Sequence, residues 1–243
     1  VAILVVGSQF DGGARTAIWA AAVVFDMSGP LVIDPSGWRL VPGHFAERHG
    51  LIMIIALGES IVAIGVGAPA DLDGGVIVAA VLGLALAAAM WWAYFDVVAL
   101  VAERRLSSAT VGKEQNELAR DSYSFLHFPM VAGIVLVALG LKTTIAHVDE
   151  RLNPETAFAL VGGLATYLLA HVAFRYRNIR TLNLRRLAVA LLLLGLVPVA
   201  DEVDAVVALL VVTVLAAALI AYEAIRFADE RDRIRHADEG APR

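Results

Sequence analysis

The sequence predicts an all-α fold, a polytopic transmembrane helical bundle of about seven complete spans with no separate soluble domain. Three observations lead there. Of the 243 residues, 59% are hydrophobic and only 18% charged, where a soluble domain carries roughly 25% charged residues. The apolar residues come in long runs broken by short polar stretches, and a run of ~20 is what a helix needs to cross a bilayer. The arginines and lysines also alternate from loop to loop, as they do when successive loops lie on opposite sides of a membrane.

In chain order the spans fall near 16–33, 50–67, 76–99, 123–146, 155–174, 186–200 and 205–222. The run 186–200 is short, so its limits extend into its flanks. Val1 to Val6 reads as the last turns of an earlier apolar helix of a longer polypeptide, with no basic stretch ahead of it to make a cleavable leader. The linkers Pro69 to Gly74 and Asp201 to Asp204 are brief, whereas Glu103 to Ser122 is charged and extends the helices on either side. The bundle therefore occupies residues 1–222. Residues 223–243 form a charged tail, a solvated helix that frays near Gly240.

Arg and Lys number two in 34–49, none in 68–75, four in 103–122, one in 147–154, five in 175–186, none in 201–204 and five in the tail. The positive-inside rule then places the tail and the 103–122 and 175–186 loops in the cytoplasm of a bacterial cell with a multi-pass inner-membrane protein. Trp91, Trp92, Tyr94 and Phe95 fall toward the cytoplasmic end of their helix, where an aromatic belt is expected. The absence of cysteine excludes disulfides and thiolate chemistry, and a net charge of −5 argues against nucleic acid as a partner.

Ionisable groups inside spans are costly and face a partner or a water-filled cavity. The sequence has Asp26, Glu59, Asp96, His127, Lys142 and His171 in such places. Glu59 is nine residues into an 18-residue span, near the midplane. Asp96, His127 and His171 fall within one or two turns of the cytoplasmic ends of three helices, and Asp26 lies past the middle of its own. The pattern suggests a polar cleft open to the cytoplasm with Glu59 at its floor. Plainer readings exist for each: Asp96 and His171 merely solvated, His127 bonding a carbonyl freed by Pro129, Asp26 serving the Ser28-Gly29-Pro30 break. Ala56, Ser60, Ala63 and Gly67 form a small-residue stripe that admits a neighbouring helix, and Glu59 beside it is expected to face protein. His44, Glu47, Arg48 and His49 form the cytoplasmic mouth of the same helix. Only His44 and Glu47 have the spacing of helical metal ligands, and neither a metal site nor a cofactor is expected. Gly163, Tyr167 and His171 recur at four-residue intervals, a pattern that more often marks close packing than a ligand site.

The string HFAERHGLIMIIALGESIVAIG (His44 to Gly65) resembles the hallmark of the bacterial low temperature requirement protein A family. ARDSYSFLHFPMVAGIVLVALGLK (Ala119 to Lys142) and GGLATYLLAHVAFRYR (Gly162 to Arg177) are similar to later segments of that family. On the resemblance, Glu47, Arg48, His49, Gly58 and Glu59 match the first pattern, and Arg120, Asp121, Tyr123, His127 and Gly133 the second. It implies a C-terminal portion of a longer protein with further N-terminal helices, and a name drawn from growth in the cold; it implies no substrate or reaction.

Three functions compete. The first is a transporter or permease with Glu59 as its intramembrane carboxyl and Asp26, Asp96, His127 and His171 as a path for ions or protons. The second is a structural or cold-adaptation role in which polar groups only lock helices. The third is a membrane-embedded enzyme on a lipid-type substrate, with His49, Glu47 and His127 as acid-base groups. The expected partners are the bilayer, the further helices of the same polypeptide and a second copy in a homo-oligomer.

Overall fold

The computed structural model describes residues 2–32, 37 and 39–236, and among these there is no β-strand. The helices are α1 (Ala2–Gly7), α2 (Gly12–Val32), α3 (Pro42–Gly67), α4 (Gly74–Phe95), α5 (Val98–Ser108), α6 (Lys113–Leu118), α7 (His127–Ala146), α8 (Pro154–Ala157), α9 (Gly163–Ile179), α10 (Leu184–Leu196), α11 (Ala205–Arg226) and α12 (Ala228–His236). A π-helical turn, Ala119–Phe125, joins α6 to α7, and another, Phe158–Gly162, joins α8 to α9.

Five helical stretches among the described residues are long and apolar enough to cross a bilayer: Pro42–Gly67, Gly74–Ser108, Lys113–Ala146, Pro154–Ile179 and Ala205–Arg226. The other two expected spans are also helical. α10 has 13 residues before Pro198 turns it into a short 3-10 segment, Val197–Val199, because proline cannot continue the hydrogen-bond ladder. α2 is 21 residues long and packs mainly on α1. Val1, Ile33 and Gly240 lie outside the described residues. As expected, 103–122 is largely helix, contributing to α5 and α6.

Helix starts follow local chemistry. The Asp73 carboxylate accepts from Val76 N–H at 2.8 Å to begin α4, Asn153 does the same for Thr156 at 2.8 Å, and Asn183 caps α10 through Arg185 and Arg186 N–H at 3.2 Å.

α7 is the central helix, with α3 along one side and α9 along the other; α4 pairs with α11, and α10 with α9. Lipid tails are as apolar as leucine, so close backbone approach rather than hydrophobic drive holds such helices together. The small-residue stripe serves this role: Ala56, Ser60, Ala63 and Gly67 are all buried, and a Cβ on Gly67 would collide with the Lys142 carbonyl of α7. At the α7–α9 crossing, a Cβ on Gly133 would stand 2.7 Å from both Gly163 O and Tyr167 N.

Glu59 departs from expectation. It lies in the exposed stripe of α3, among Ile55 (73% exposed), Val62 (57%) and Val66 (62%). Ser60, one residue on, takes the buried position, because 100° of helical rotation turns Glu59 away from α7.

The crossing gives a stability test. Gly133→Ala should lower the unfolding free energy in detergent by about 1–3 kcal/mol, the usual cost of overpacking against backbone. Gly58→Ala, where a Cβ meets nothing within 4 Å, should leave thermal and chemical unfolding unchanged.

Candidate functional site

The two π turns and the glycine crossing bring α4, α7 and α9 together around a line of buried polar side chains. Wide turns of this kind shift which carbonyls are free. Leu126 N–H reaches back to Asp121 O at 3.2 Å, and the Ser122 carbonyl accepts instead from His127 Nδ1 at 3.0 Å. The expectation that Pro129 frees the carbonyl is thus replaced by the π register one turn earlier. Since a carbonyl only accepts, Nδ1 carries the proton, and His127 Nε2 accepts from the Tyr94 hydroxyl at 2.8 Å. His127 is 3% exposed and Tyr94 1%.

Tyr94 stands between two histidines, its ring centre 5.5 Å from His127 and 6.1 Å from His171. His171, also 1% exposed, receives Arg186 Nη1 at its Nδ1 at 2.9 Å. Guanidinium only donates, so His171 carries its proton on Nε2, which finds no acceptor among the described residues. On the other side of His127, the His49 ring lies 5.2 Å away, edge to face, with its Nδ1 donating to Phe45 O at 2.8 Å. Tyr167, one turn before His171, donates to Met90 O at 2.6 Å and ties α9 to α4.

Arg186 closes the line. Its Nη2 and Nε donate to Glu223 at 2.8 and 3.1 Å, and its Nη1 also reaches the Ala93 carbonyl at 3.2 Å. Asn183 donates to the same carboxylate at 2.7 Å. These groups border a cavity of about 310 Å³ walled by α4, α5, α9, α10, α11 and α12. Asp96 lies at its edge, where the α4 ladder stops, paired with Arg231 and Arg235 of α12.

Of the residues singled out in the sequence, Asp96, His127 and His171 come together here, and His49 joins them. Asp96 is not merely solvated: its side chain is 5% exposed and ion-paired. Glu59 and Asp26 are not part of the assembly; both are exposed, Glu59 on the outward stripe of α3 and Asp26 on α2. Glu59 does not line the cavity that these groups border. His44 and Glu47 form an exposed i,i+3 pair at 3.5 Å, and Arg48 is exposed.

The sequence reading missed four groups. Tyr94 is buried rather than part of the aromatic belt, whose exposed members are Trp91 and Trp92. Glu223 and Arg231, assigned to the solvated tail, are buried at 7% and 8% exposure, because α11 continues to Arg226 and α12 folds back on the bundle. Arg186 is buried at 6%. A signal existed for Glu223, the single charge in the run Ala205 to Ile225.

The three strings that carry the resemblance all lie on these elements. The model of the bacterial low temperature requirement A protein (LtrA) matches residues 1–221. The chain belongs to the LtrA family. A Rhizobium meliloti (strain 1021) protein, named only as uncharacterized, is 28% identical over 174 residues, covering 68% of this chain and 42% of its own length; the chain thus spans less than half of that relative. No solved structure gives a significant match. Family membership and five apolar helices of spanning length make this LtrA protein an integral membrane protein in a lipid bilayer. The second string supplies Asp121, which joins Arg120 at 2.8 Å and Arg177 of α9 at 3.0 Å, pinning the π turn that positions His127.

Breaking the Arg186–Glu223 pair from one side leaves a buried charge without its partner. Arg186→Met should cost about 3–5 kcal/mol, read as a lowered midpoint in detergent unfolding, and Arg186→Met with Glu223→Leu should recover most of it.

Proposed function

We propose that this LtrA protein is a proton-coupled permease of the bacterial inner membrane, with its C-terminus and the arginine-rich end in the cytoplasm. The observation that carries the reading is the buried line from His127 through Tyr94 to His171, ending at Arg186, Glu223 and the cavity. Intramembrane polar groups that face a bundle interior mark substrate and proton pathways. Tyr94 donates to His127, and the His171 ring, whose Nε2 hydrogen finds no acceptor among the described residues, has its centre 6.1 Å from that of Tyr94. Passing a proton requires Arg186 to leave His171 Nδ1, which then takes up a proton, so that the imidazolium gives its Nε2 proton to Tyr94 as Tyr94 gives its own to His127 Nε2. Arg186 guards the line at rest, since a guanidinium bound to His171 Nδ1 neither yields nor accepts a proton there. Such a guard suits a permease that moves protons only when Arg186 shifts.

The pairing of the buried ions also favours a second reading, in which Arg186–Glu223 and Arg231–Asp96 lock helices for membrane adaptation and nothing moves. Flux separates the two. In liposomes with a trapped pH dye, the charge-neutral pair Arg186→Gln with Glu223→Gln should dissipate an imposed pH gradient at least about tenfold faster than the unaltered protein, the scale on which an electrostatic barrier acts in a pore. Adding Tyr94→Phe, which removes one oxygen and keeps the packing, should abolish that gain. Rates equal to those of empty liposomes for every variant would favour the structural role.

A further inference from the structure

We infer that α12 is a lid over the arginine-rich cavity, latched through Asp96. The inference rests on reading the cavity as the access to the polar line, and it assigns that access a gate. α12 supplies Glu230, Arg231 and Ile234 to the cavity wall. It is poorly suited to stay there by apolar burial. Of its nine residues only Ala228 and Ile234 are apolar, and Arg231 is its buried residue. What holds it is charge: Arg231 and Arg235 both pair with Asp96, Arg104 of α5 donates to the Ile234 carbonyl at 2.6 Å, and Arg231 lies 6.0 Å from the centre of the Trp92 ring.

The position of Asp96 makes it a latch rather than one more surface acid. It is the residue at which α4 stops, and Val97 between α4 and α5 has φ −136° and ψ −20°, outside the helical region. Its carboxylate therefore faces α12 from a break in the wall and meets two arginines one helical turn apart, which is how i and i+4 side chains reach one group. α12 has its own break, at Phe227 with φ −118° and ψ 25°. The lid thus has a joint at one end, a single anionic catch in the middle and little hydrophobic adhesion. Losing Asp96 leaves Arg235 only Asp232 of its own helix, at 3.6 Å, so α4 no longer holds α12 by charge and the helix is freed to leave the bundle.

The absence of cysteine makes the test clean. Ala102, 1% exposed in the cavity wall, is changed to cysteine in the full chain in proteoliposomes, and labelling by a membrane-impermeant maleimide is timed. Asp96→Asn should speed labelling about tenfold or more, the effect expected when a buried ion pair that closes a local opening is lost. Arg231→Gln with Arg235→Gln should do the same from the tail side, where a change cannot unfold the spans. Deletion after Phe227 gives the rate of an uncovered cavity. If deletion leaves the rate unchanged, α12 does not shield the cavity; if deletion speeds labelling while the latch variants do not, Asp96 is not the catch. Either result overturns the inference. Labelling does not depend on flux, so a gated cavity without proton movement would leave the lid standing and remove the permease.

Discussion

The bundle depends on how closely α7 can approach its neighbours. In a bilayer there is no water to expel from between helices, and the free energy of association comes from packing and hydrogen bonds. Gly133 and Gly140 of α7 face Gly163, Tyr167 and Leu160 at distances where any side-chain carbon would sit 2.7 to 3.0 Å from backbone. That contact fixes the level of α9 against α7. Tyr167 is placed by it, and its bond to Met90 O then fixes α4. His127, Tyr94 and His171 belong to three helices and meet only because these two registers are set. The glycines therefore contribute to the polar line as much as the polar residues do.

The second constraint is the Arg186–Glu223 pair. Two charges taken out of water need good geometry and further hydrogen bonds to break even. Here the carboxylate accepts from Arg186 and Asn183, and the guanidinium also engages the Ala93 carbonyl and His171. Asn183 does double duty, since its Oδ1 caps α10 while its Nδ2 donates to Glu223. The short α10 is thereby anchored at its start to α11 and α9, which suits a helix whose 13 residues give it little length to pack.

The helices and their small-residue contacts were legible in the sequence because apolar length and i, i+4 spacing are one-dimensional signals. The stripe from Ala56 to Gly67 was read from spacing alone and packs on α7 as expected. Position along each helix was legible too, which is why Asp96, His127 and His171 could be grouped before their partners were known. Azimuth was not. Glu59 and Ser60 differ by one residue and by which face they occupy, and nothing in the local pattern says which of two adjacent small or polar residues turns inward. Long-range partners were equally silent: Arg186 and Glu223 are 37 residues apart, and Asp96 meets Arg235 across 139. Tyr94 was lost inside an aromatic run whose neighbours do face outward.

The sense of the hydrogen bonds limits what the interior can carry. Ser122 O fixes the proton of His127 on Nδ1, and Arg186 fixes that of His171 on Nε2, so both rings are neutral and oriented by groups that cannot change role. Tyr94 is the one member that both donates and can accept, and it occupies the gap between them. The formal charges of the site sit at the cavity end, paired as Arg186 with Glu223 and Arg231 with Asp96. A bare ion entering the line would meet no counter-charge and only one hydroxyl at its centre. Both rings and the hydroxyl are neutral as they stand, so the charge of this region is carried by the two ion pairs at the cavity end.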